Sequence, residues 1–382
     1  MKKEQRLGLR TWLEIDKRAI KHNYNVFRGL IPKRTKLMGV VKSNAYGHNL
    51  VEFAKELEKL GANYLAVDSV VEGIALRKEG IKIPILVLGY TLPEMIEKAA
   101  ENDLEITISN FDYFDQIESL EKSQVYKKIK VHIKVDSGMH RHGFQEDDIK
   151  AVIKKIVDLK DKLKVIGLYT HFAAAKNPAF PKDTKNQIAI FEKWQKAFDR
   201  AKIKAICHTG ATSGTILFPD AHYNMVRLGI GLYGIWPSRE TQAFINNKFN
   251  LTPVLSWRTV IGEINNIKAE ERIGYDFTEK LSRDSKVAVL PIGYWHGFPR
   301  ALSGVGFVLV NGKKVKILGR VCMDIVMIDV TDIKNVKVGD EVTIIGQDGK
   351  EKITVDDVAT LLDASAYEFV TRINPLIKRI YC

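Results

Sequence analysis

The side chain whose type and position most clearly suggest reactivity is Lys42, which directly follows the apolar run 37–41. If this run is a buried strand, the amine lies at its end with apolar residues behind it, and such surroundings lower the pKa of an amine. A lysine of lowered pKa can form a Schiff base with a carbonyl compound. A strand-end lysine that only extends its ammonium group into solvent is the alternative. The position of Lys42 leaves both interpretations open.

Two later segments are rich in small residues and could bind a phosphate group. They are residues 209–214 (Thr-Gly-Ala-Thr-Ser-Gly) and 229–231 (Gly-Ile-Gly). Small residues let backbone amides approach an anion closely. Because such segments more often form ordinary turns, they predict a phosphate site only where the fold brings them to a reactive group.

The hydrophobic pattern of the first 240 residues predicts the strands and helices around Lys42 and the two small-residue segments. Short apolar, β-branched runs alternate there with longer segments of helical spacing, such as 49–60 and 186–201. The eight runs are 37–41, 63–67, 83–88, 104–108, 129–135, 163–169, 205–207 and 224–226. Eight βα units predict an α/β fold, a TIM-type (β/α)8 barrel, whose chemistry lies at the carboxyl ends of the strands.

In the remainder of the chain the apolar runs are separated mainly by short, turn-rich connections instead of long helical segments. We expect strands at 251–263, 286–292, 305–310, 315–318, 325–329 and 341–345. Asn311-Gly312 and Asp348-Gly349 predict hairpins, and Thr354 opens a helix over 355–362. The pattern predicts a barrel domain over 11–240 and a smaller, mostly β domain over 241–382 together with residues 1–10.

Composition narrows the functional classes. The net charge of +13 arises from lysines scattered over helical faces, which does not predict nucleic-acid binding. Three cysteines without a CxxC spacing favour neither a disulfide framework nor a metal site. No apolar run is long enough to span a membrane, and residues 1–10 are charged, unlike a signal peptide. We therefore expect a cytoplasmic protein.

Residues 41–48 (Val-Lys-Ser-Asn-Ala-Tyr-Gly-His) resemble the cofactor-lysine segment of the fold type III pyridoxal phosphate enzymes, and of the alanine racemase family in particular. The resemblance covers nearly the whole chain. It recurs in family order in the segments 134–141, 170–173, 227–234, 291–294 and 319–324. Any one segment would be a weak indication, whereas six in order, divided between the two expected domains, are specific.

The resemblance implies pyridoxal 5'-phosphate as cofactor. Lys42 would bear it covalently and then act as a base on one face of the substrate. Arg227 would bond the pyridine nitrogen, where a guanidinium is a permanent donor; this would leave the nitrogen unprotonated and disfavour transamination. The phosphate would be bound by Thr212, Gly229, Ile230, Tyr46 and Tyr367.

The resemblance also implies a homodimer. Racemisation needs a second base on the opposite face, and in the family the tyrosine that matches Tyr275 comes from the other subunit. His171 would link this tyrosine toward Arg227. Arg141 and the backbone amide of Met323 from the partner subunit would bind the carboxylate of a small amino acid. Lys134 matches a lysine that is carbamylated in some family members, and we expect the same modification here.

Three departures from the family concern the substrate. Gly293-Tyr294-Trp295-His296-Gly297 replaces the usual Gly-Tyr-Ala-Asp-Gly, and Gly274-Tyr275-Asp276 replaces Ser-Tyr-Gly. Residues 373–379 (Ile-Asn-Pro-Leu-Ile-Lys-Arg) replace a segment that normally has a tyrosine and an arginine before Pro-Arg. The expected function is interconversion of L- and D-alanine, which supplies D-alanine for peptidoglycan. A racemase of other or broader range (serine, lysine), a fold type III decarboxylase and a cofactor-carrying regulatory protein stay open as alternatives.

Overall fold

The computed structural model describes residues 6–120, 128–246 and 248–382. The described chain divides into two compact units. The barrel unit comprises Ile20–Ala45 and Leu50–Thr252. The β-rich unit comprises residues 6–19, Tyr46–Asn49 and Pro253–Cys382. The first strand of the chain, β1 (Thr11–Ile15), belongs to the β-rich unit.

The barrel unit contains a sheet of eight parallel strands in the order β8-β7-β6-β5-β4-β3-β2-β9. Their bounds are β2 Lys36–Val40, β3 Tyr64–Val67, β4 Ile85–Val87, β5 Glu105–Ile108, β6 Ile129–Lys134, β7 Leu163–Tyr169, β8 Ile206–His208 and β9 Met225–Leu228. The ring nearly closes, because Asn224 N donates to Cys207 O (3.1 Å) and Arg227 N donates to Gly210 O (3.0 Å). The predicted TIM-type barrel is confirmed.

The helices in this part of the chain are α1 Lys17–Leu30, α3 Leu50–Lys59, α4 Val70–Lys78, α5 Pro93–Glu101, α6 Phe111–Ser119, α7 Ile149–Asp158, α8 Pro181–Arg200, α9 Thr212–Leu217 and α10 Arg239–Ile245, with one left-handed turn, α2 (Lys42–Tyr46), after β2. Helices α3 to α9 connect consecutive barrel strands as crossovers, whereas α1 precedes β2 and α10 follows β9. Their apolar faces are buried; α3, for example, buries Phe53 and Leu57. A Cβ at Gly39 of β2 would lie 2.4 Å from Leu57 Cδ1, so glycine lets this helix pack closely on the strand.

The β-rich unit contains a sheet in the order β11-β14-β17-β16-β15-β18-β10-β1-β20, with β19 paired to β18 and a separate β12-β13 pair. The strands are β10 Leu255–Val260, β11 Glu263–Ile267, β12 Arg272–Ile273, β13 Glu279–Lys280, β14 Ser285–Leu290, β15 Phe307–Val310, β16 Lys313–Leu318, β17 Val326–Asp329, β18 Glu341–Asp348, β19 Glu351–Ile353 and β20 Lys378–Tyr381. Two helices follow β19, α11 Val355–Leu361 and α12 Ala366–Thr371.

Local signals in the second half behave as predicted. Asn311 and Gly312 have φ of 48° and 73°, the left-handed pair that a tight hairpin between β15 and β16 requires. The second predicted hairpin joins β18 to β19. Thr354 caps α11, because its hydroxyl accepts from Asp357 N (3.0 Å) and the Asp357 carboxylate accepts from Thr354 N (2.8 Å).

The predicted boundaries are wrong in detail. Strand β1 pairs with β10 and β20, so residues 11–15 belong to the β-rich unit rather than to the barrel. The barrel unit continues past residue 240 to Thr252, because α10 packs with it. The expected strand 251–263 is two strands, β10 and β11, broken at Ile261-Gly262. Residues 1–5 of the expected N-terminal part lie outside the described residues. Among the described residues, no helix has both the length and the apolar character needed to cross a membrane.

Candidate active site

Lys42 lies just beyond the carboxyl end of β2, and its side chain is 38% exposed. Its Nζ donates to Asp68 Oδ1 at 3.1 Å. Asp68 directly follows β3, so two adjacent strands place the amine and the carboxylate side by side. The amine therefore has a carboxylate as its neighbour, in contrast to the apolar walls that the sequence pattern predicts.

The chain after Lys42 turns in the left-handed sense, with φ between 50° and 56° at Ser43, Asn44, Ala45 and Tyr46. This conformation costs about 1–2 kcal/mol for each residue other than glycine, so tertiary contacts must offset it. Glu72 supplies two of them, since its carboxylate accepts from Asn44 N (3.2 Å) and from Asp68 N (2.8 Å). Glu72 thereby links the turn after Lys42 to the turn that contains Asp68. Such strain is typical of functional sites.

Arg227 is buried on β9 and has a dense set of acceptors. One terminal nitrogen donates to His208 Nδ1 (2.8 Å) and His208 O (3.1 Å). The other donates to Thr170 O (2.8 Å), Thr209 O (2.8 Å) and His171 Nδ1 (3.1 Å). Among the described residues, Nε–H has no acceptor, so one donor of a fixed guanidinium is left for a ligand. Burial lowers the pKa of Arg227 to about 10, which keeps it charged at neutral pH.

His171 follows β7 among four cationic side chains. Burial, and then the charges of Arg227, Arg141, Lys134 and Lys42, lower the pKa of His171 to about 3. The ring is therefore neutral at neutral pH. Because its Nδ1 accepts from Arg227, its proton is on Nε2. The same four cations favour an anion at this end of the barrel, such as a phosphate or a carboxylate.

Lys134 at the end of β6 is 7% exposed. Burial, and then the charges of Arg141 and Arg227, lower its pKa to about 8. Its Nζ lies 5.7 Å from the centre of the Tyr169 ring, and no carboxylate of the described chain forms a salt bridge with it. A fraction of this amine is therefore neutral and nucleophilic at neutral pH.

The loop after β6 carries Arg141 and is organised by a carboxylate. Asp136 Oδ1 accepts from the backbone N–H groups of Gly138 (2.8 Å), Met139 (2.9 Å) and His140 (3.1 Å). Burial opposes ionisation, but these hydrogen bonds outweigh it and lower the pKa of Asp136. The Arg141 guanidinium is exposed and has no acceptor in the described part of the chain, so it can bind a carboxylate.

The two segments rich in small residues meet at the end of β9. Thr212 opens α9 and is 2% exposed, and its hydroxyl accepts from Gly231 N at 3.3 Å. Gly229 precedes a short 3-10 helix, Ile230–Tyr233, whose first N–H groups have no carbonyl within the helix. A Cβ at Gly231 would lie 2.4 Å from Phe27 Cζ, so only glycine fits this close approach. The arrangement suits an anion.

The remaining predicted site residues belong to the β-rich unit. The rings of Tyr46 and Tyr367 lie 6.0 Å apart, and burial raises the pKa of Tyr367 above its usual value. Tyr275 is 69% exposed at the start of a short 3-10 helix, and Met323 is 55% exposed. Met323 O accepts from Trp295 N at 3.0 Å, which places one of the departures from the family beside a predicted substrate-binding residue.

Sequence reasoning missed the polar side chains inside the barrel. His208 binds Arg227, and behind it lie His132 and Glu105, all of them buried. A signal was available, because Glu105 and His132 are polar residues within runs expected to form buried strands, and every second residue of a barrel strand faces the interior. The described residues contain no group of three or more His, Cys, Asp and Glu side chains placed to bind a metal ion.

Comparison with known proteins agrees with this geometry over the whole chain. Residues 15–237 match the family model for the alanine racemase N-terminal domain, and residues 254–381 match that for the C-terminal domain. An alanine racemase of Methanococcus maripaludis is 40% identical over 372 residues, which is 97% of this chain and 98% of the relative. One of Halothermothrix orenii is 39% identical, over 99% and 98% of the two chains.

Solved structures give the same result. Alanine racemase of Clostridium difficile 630 superposes with a TM-score of 0.91 at 34% identity, covering 98% of this chain and 96% of that one. The Bacillus anthracis enzyme, solved with bound L-Ala-P, superposes with a TM-score of 0.92 at 35% identity, covering 98% and 95%. Members of this family use pyridoxal 5'-phosphate. With both domains matched in order and at full length, the chain belongs to the alanine racemase family.

Proposed function

We propose that this chain is a cytoplasmic alanine racemase, an isomerase that interconverts L- and D-alanine with pyridoxal 5'-phosphate and supplies D-alanine for peptidoglycan. The observation that carries the proposal is the pair formed by Lys42 and Arg227. The first is an amine just beyond the end of one barrel strand, and the second is a fixed guanidinium with a free Nε–H. Family membership supports the same activity.

The cofactor, when bound, withdraws electrons from the α-carbon of an attached amino acid and so acidifies its α-proton. Lys42 would bind the cofactor through Nζ and then move that proton on one face. Arg227 would donate Nε–H to the pyridine nitrogen and keep a proton off it. Thr212 and the amides of Gly229 and Ile230 would bind the phosphate, with the hydroxyls of Tyr46 and Tyr367.

The opposite face needs a second acid and base, for which we assign Tyr275 of the partner subunit in a homodimer. In the β-rich unit the side chains of Tyr275, Phe277, Trp295, Met323 and Ile325 are all exposed. Such side chains would contribute apolar area to an interface with a second subunit. His171 would donate Nε2–H to the phenol oxygen. Arg141 and the backbone amide of Met323 of the partner subunit would bind the substrate carboxylate.

Lys134 is proposed to be carbamylated. Its neutral amine would attack CO2, forming an N–C bond and releasing one proton, and the resulting anion would pair with Arg141. The pKa of about 8 supports this step, because only the unprotonated amine reacts. Electron density for the added carboxylate, or its mass in the intact protein, would support the modification. A free ammonium group beside Arg141 would contradict it.

Reduction of the purified protein with borohydride tests cofactor attachment. The visible absorption of the bound cofactor should disappear on reduction, and peptide mapping should place the reduced adduct on Lys42. An adduct on another lysine would overturn the assignment. Racemisation of alanine should accompany the intact spectrum.

Mixing two inactive variants tests the shared site. Lys42→Ala lacks the amine and Tyr275→Phe lacks the phenol, so each homodimer should be inactive. In a mixed dimer one site regains both groups, and activity should return to about a quarter of wild type after subunit exchange. If both groups came from one chain, mixing would restore nothing.

A racemase of broader range is the second candidate, favoured by the backbone hydrogen bond from Trp295 N to Met323 O (3.0 Å). An indole where the family has a small residue would change the volume available beside the proposed substrate-binding amide. Parallel assays with alanine, serine and lysine decide between the two. Negligible turnover of alanine beside rapid turnover of another amino acid would replace the first candidate.

A further inference from the structure

A continuous chain of hydrogen bonds runs through the barrel interior behind Arg227. Arg227 contacts His208 Nδ1 (2.8 Å), and His208 Nε2 contacts His132 Nδ1 (2.9 Å). His132 Nε2 then contacts Glu105 Oε2 at 2.7 Å. Both imidazoles are fully buried, and Glu105 and Arg227 are 3% exposed. Four strands, β5, β6, β8 and β9, contribute one residue each.

The chemistry of the end groups fixes the direction of every bond in this chain. A guanidinium only donates, so His208 Nδ1 must accept and its proton must be on Nε2. That proton is donated to His132 Nδ1, which places the proton of His132 on Nε2, facing the Glu105 carboxylate. Protonating either ring would set two N–H groups against each other. Burial, and then the charge of Arg227, hold the pKa of His208 well below its usual range, in agreement with a neutral ring.

Aromatic packing holds the two imidazole planes. Tyr169 stacks on His208, with ring centres 4.8 Å apart and planes 5° from parallel, and meets His132 edge-on at 6.4 Å. The Arg227 guanidinium lies 5.2 Å from the centre of the same ring. The Tyr169 hydroxyl bonds Thr107 at 2.9 Å. The imidazoles therefore have little freedom to rotate and exchange partners.

We infer that Glu105, His132 and His208 are positioning residues for Arg227. They fix the plane of the guanidinium, and Glu105 supplies the negative charge that balances it from the far end of the chain. Nε–H of Arg227 is thereby aimed at its ligand while no proton can reach that ligand through the imidazoles. This inference rests on the proposed function only in naming the pyridine nitrogen as the ligand.

Ring-nitrogen NMR of the holoenzyme with 15N-labelled histidine tests the inference without an activity assay. Substituting His132 and His208 one at a time by Gln assigns their signals. Both rings should have a proton on Nε2 and none on Nδ1, and His208 should stay neutral between about pH 6 and about pH 9. A proton on Nδ1 of either ring, or an imidazolium in this range, would overturn the inference. The tautomers can be read whatever reaction the protein catalyses, so failure of the proposed function gives a separate result.

Two variants at Glu105 test the consequence for catalysis. Glu105→Leu removes both the acceptor and the charge, whereas Glu105→Gln keeps an acceptor of the same size and remains informative if the first variant does not fold. We expect kcat to fall by about 10- to 100-fold in Leu and less in Gln, with KM within about threefold and the cofactor content unchanged.

The two variants should also lose reaction specificity. A displaced Arg227 would let the pyridine nitrogen take up a proton, which favours transamination. In that side reaction the amino group of alanine would stay on the cofactor, and water would hydrolyse the C=N bond to the substrate carbon and supply the keto oxygen of pyruvate. The ratio of pyruvate formed to alanine racemised should therefore rise. Glu14→Gln, a partly buried glutamate of β1, is the control and should change neither quantity. Unchanged kcat and unchanged pyruvate ratio in both Glu105 variants would contradict the inference.

Discussion

The interior of the barrel and the exposed surface of the β-rich unit contain opposite kinds of functional side chain. Inside the barrel, Arg227 is 3% exposed and four of its five N–H groups have partners within the described chain. On the β-rich unit, Tyr275 and Met323 are more than half exposed. The chain therefore supplies the partners of its buried site residue by itself, whereas the proposed roles of Tyr275 and Met323 require a second chain. Substitutions in the two regions should therefore differ in kind.

Tyr275→Phe should have the largest effect on activity and the smallest on stability. Loss of a positioned acid and base lowers kcat by about 100- to 10,000-fold, while the ring stays exposed in the same place. The melting temperature should not move. Racemisation assays and thermal denaturation measure the two quantities. Tyr90→Phe, at a tyrosine that is 59% exposed in the barrel unit, is the control, and equal losses in both variants would contradict the assignment.

Arg227→Lys should lower activity and stability together, because an ammonium group cannot reach all the acceptors of a planar guanidinium. His208 Nδ1 and the carbonyls of Thr170 and Thr209 compete for fewer donors, and we expect the free energy of unfolding to fall by about 2–4 kcal/mol. We expect kcat to fall by about 10- to 100-fold. Urea denaturation and steady-state kinetics provide the measurements. Arg283→Lys, at an exposed ion pair, is the control and should change neither activity nor stability. If Arg227→Lys lost activity but kept its stability, Arg227 would behave like Tyr275, and the predicted difference between the two regions would be wrong.

Gly231→Ala should act through packing. The new methyl group would meet Phe27 Cζ at 2.4 Å and Thr212 Cγ2 at 2.7 Å, and overpacking of this kind costs about 1–3 kcal/mol. Cofactor affinity, measured by titration of the apoprotein, should weaken with it. The matched control is Gly29→Ala in α1, where nothing lies within 4 Å and alanine should raise stability by up to about 1 kcal/mol. Equal stability in the two variants would show that the loop yields easily.

Mild acid should weaken the barrel interior gradually. The pKa values of His171 and His208 are lowered on folding, so their contribution to stability is complete above the unfolded value of about 6.5 and is lost as the pH falls below it. Each ring adds a slope of about 1.4 kcal/mol per pH unit in that window. Between about pH 6.5 and about pH 5, the free energy of unfolding should fall more steeply with decreasing pH for wild type than for His208→Gln. Parallel lines would mean that His208 is not neutral in the fold.

The barrel was predictable because its strands are largely buried and appear in the sequence as short runs rich in apolar, β-branched residues. Even the short runs 205–207 and 224–226 correspond to β8 and β9. The pairing of β1 with β10 and β20 was not predictable, since local pattern carries no information on partners so distant in the chain. Glu105 and His132 were not identified as functional residues, because the runs that contain them were interpreted only as strands.

The site was less predictable in geometry than in composition. Motif resemblance named Lys42, His171 and Arg227, and the structure brings these residues together with Lys134 and Arg141. It could not indicate that Asp68 is the neighbour of Lys42, nor that the chain turns left-handed after it. Left-handed backbone is usually predicted from glycine in the sequence. Ser43 and Ala45 adopt it without glycine, because Glu72 and the surrounding packing impose it.

Strand β1 has a consequence for synthesis on the ribosome. It ends at Ile15, and its neighbours begin at Leu255 and Lys378, so the strand is translated at least 240 residues before either partner exists. At about 5–20 residues per second, this delay lasts tens of seconds. The intervening segment from Ile20 to Thr252, apart from Tyr46–Asn49, is the barrel unit. We expect the nascent chain to build its barrel while the first strand is still unpaired, and a chaperone that binds short extended segments would have that whole interval in which to find it.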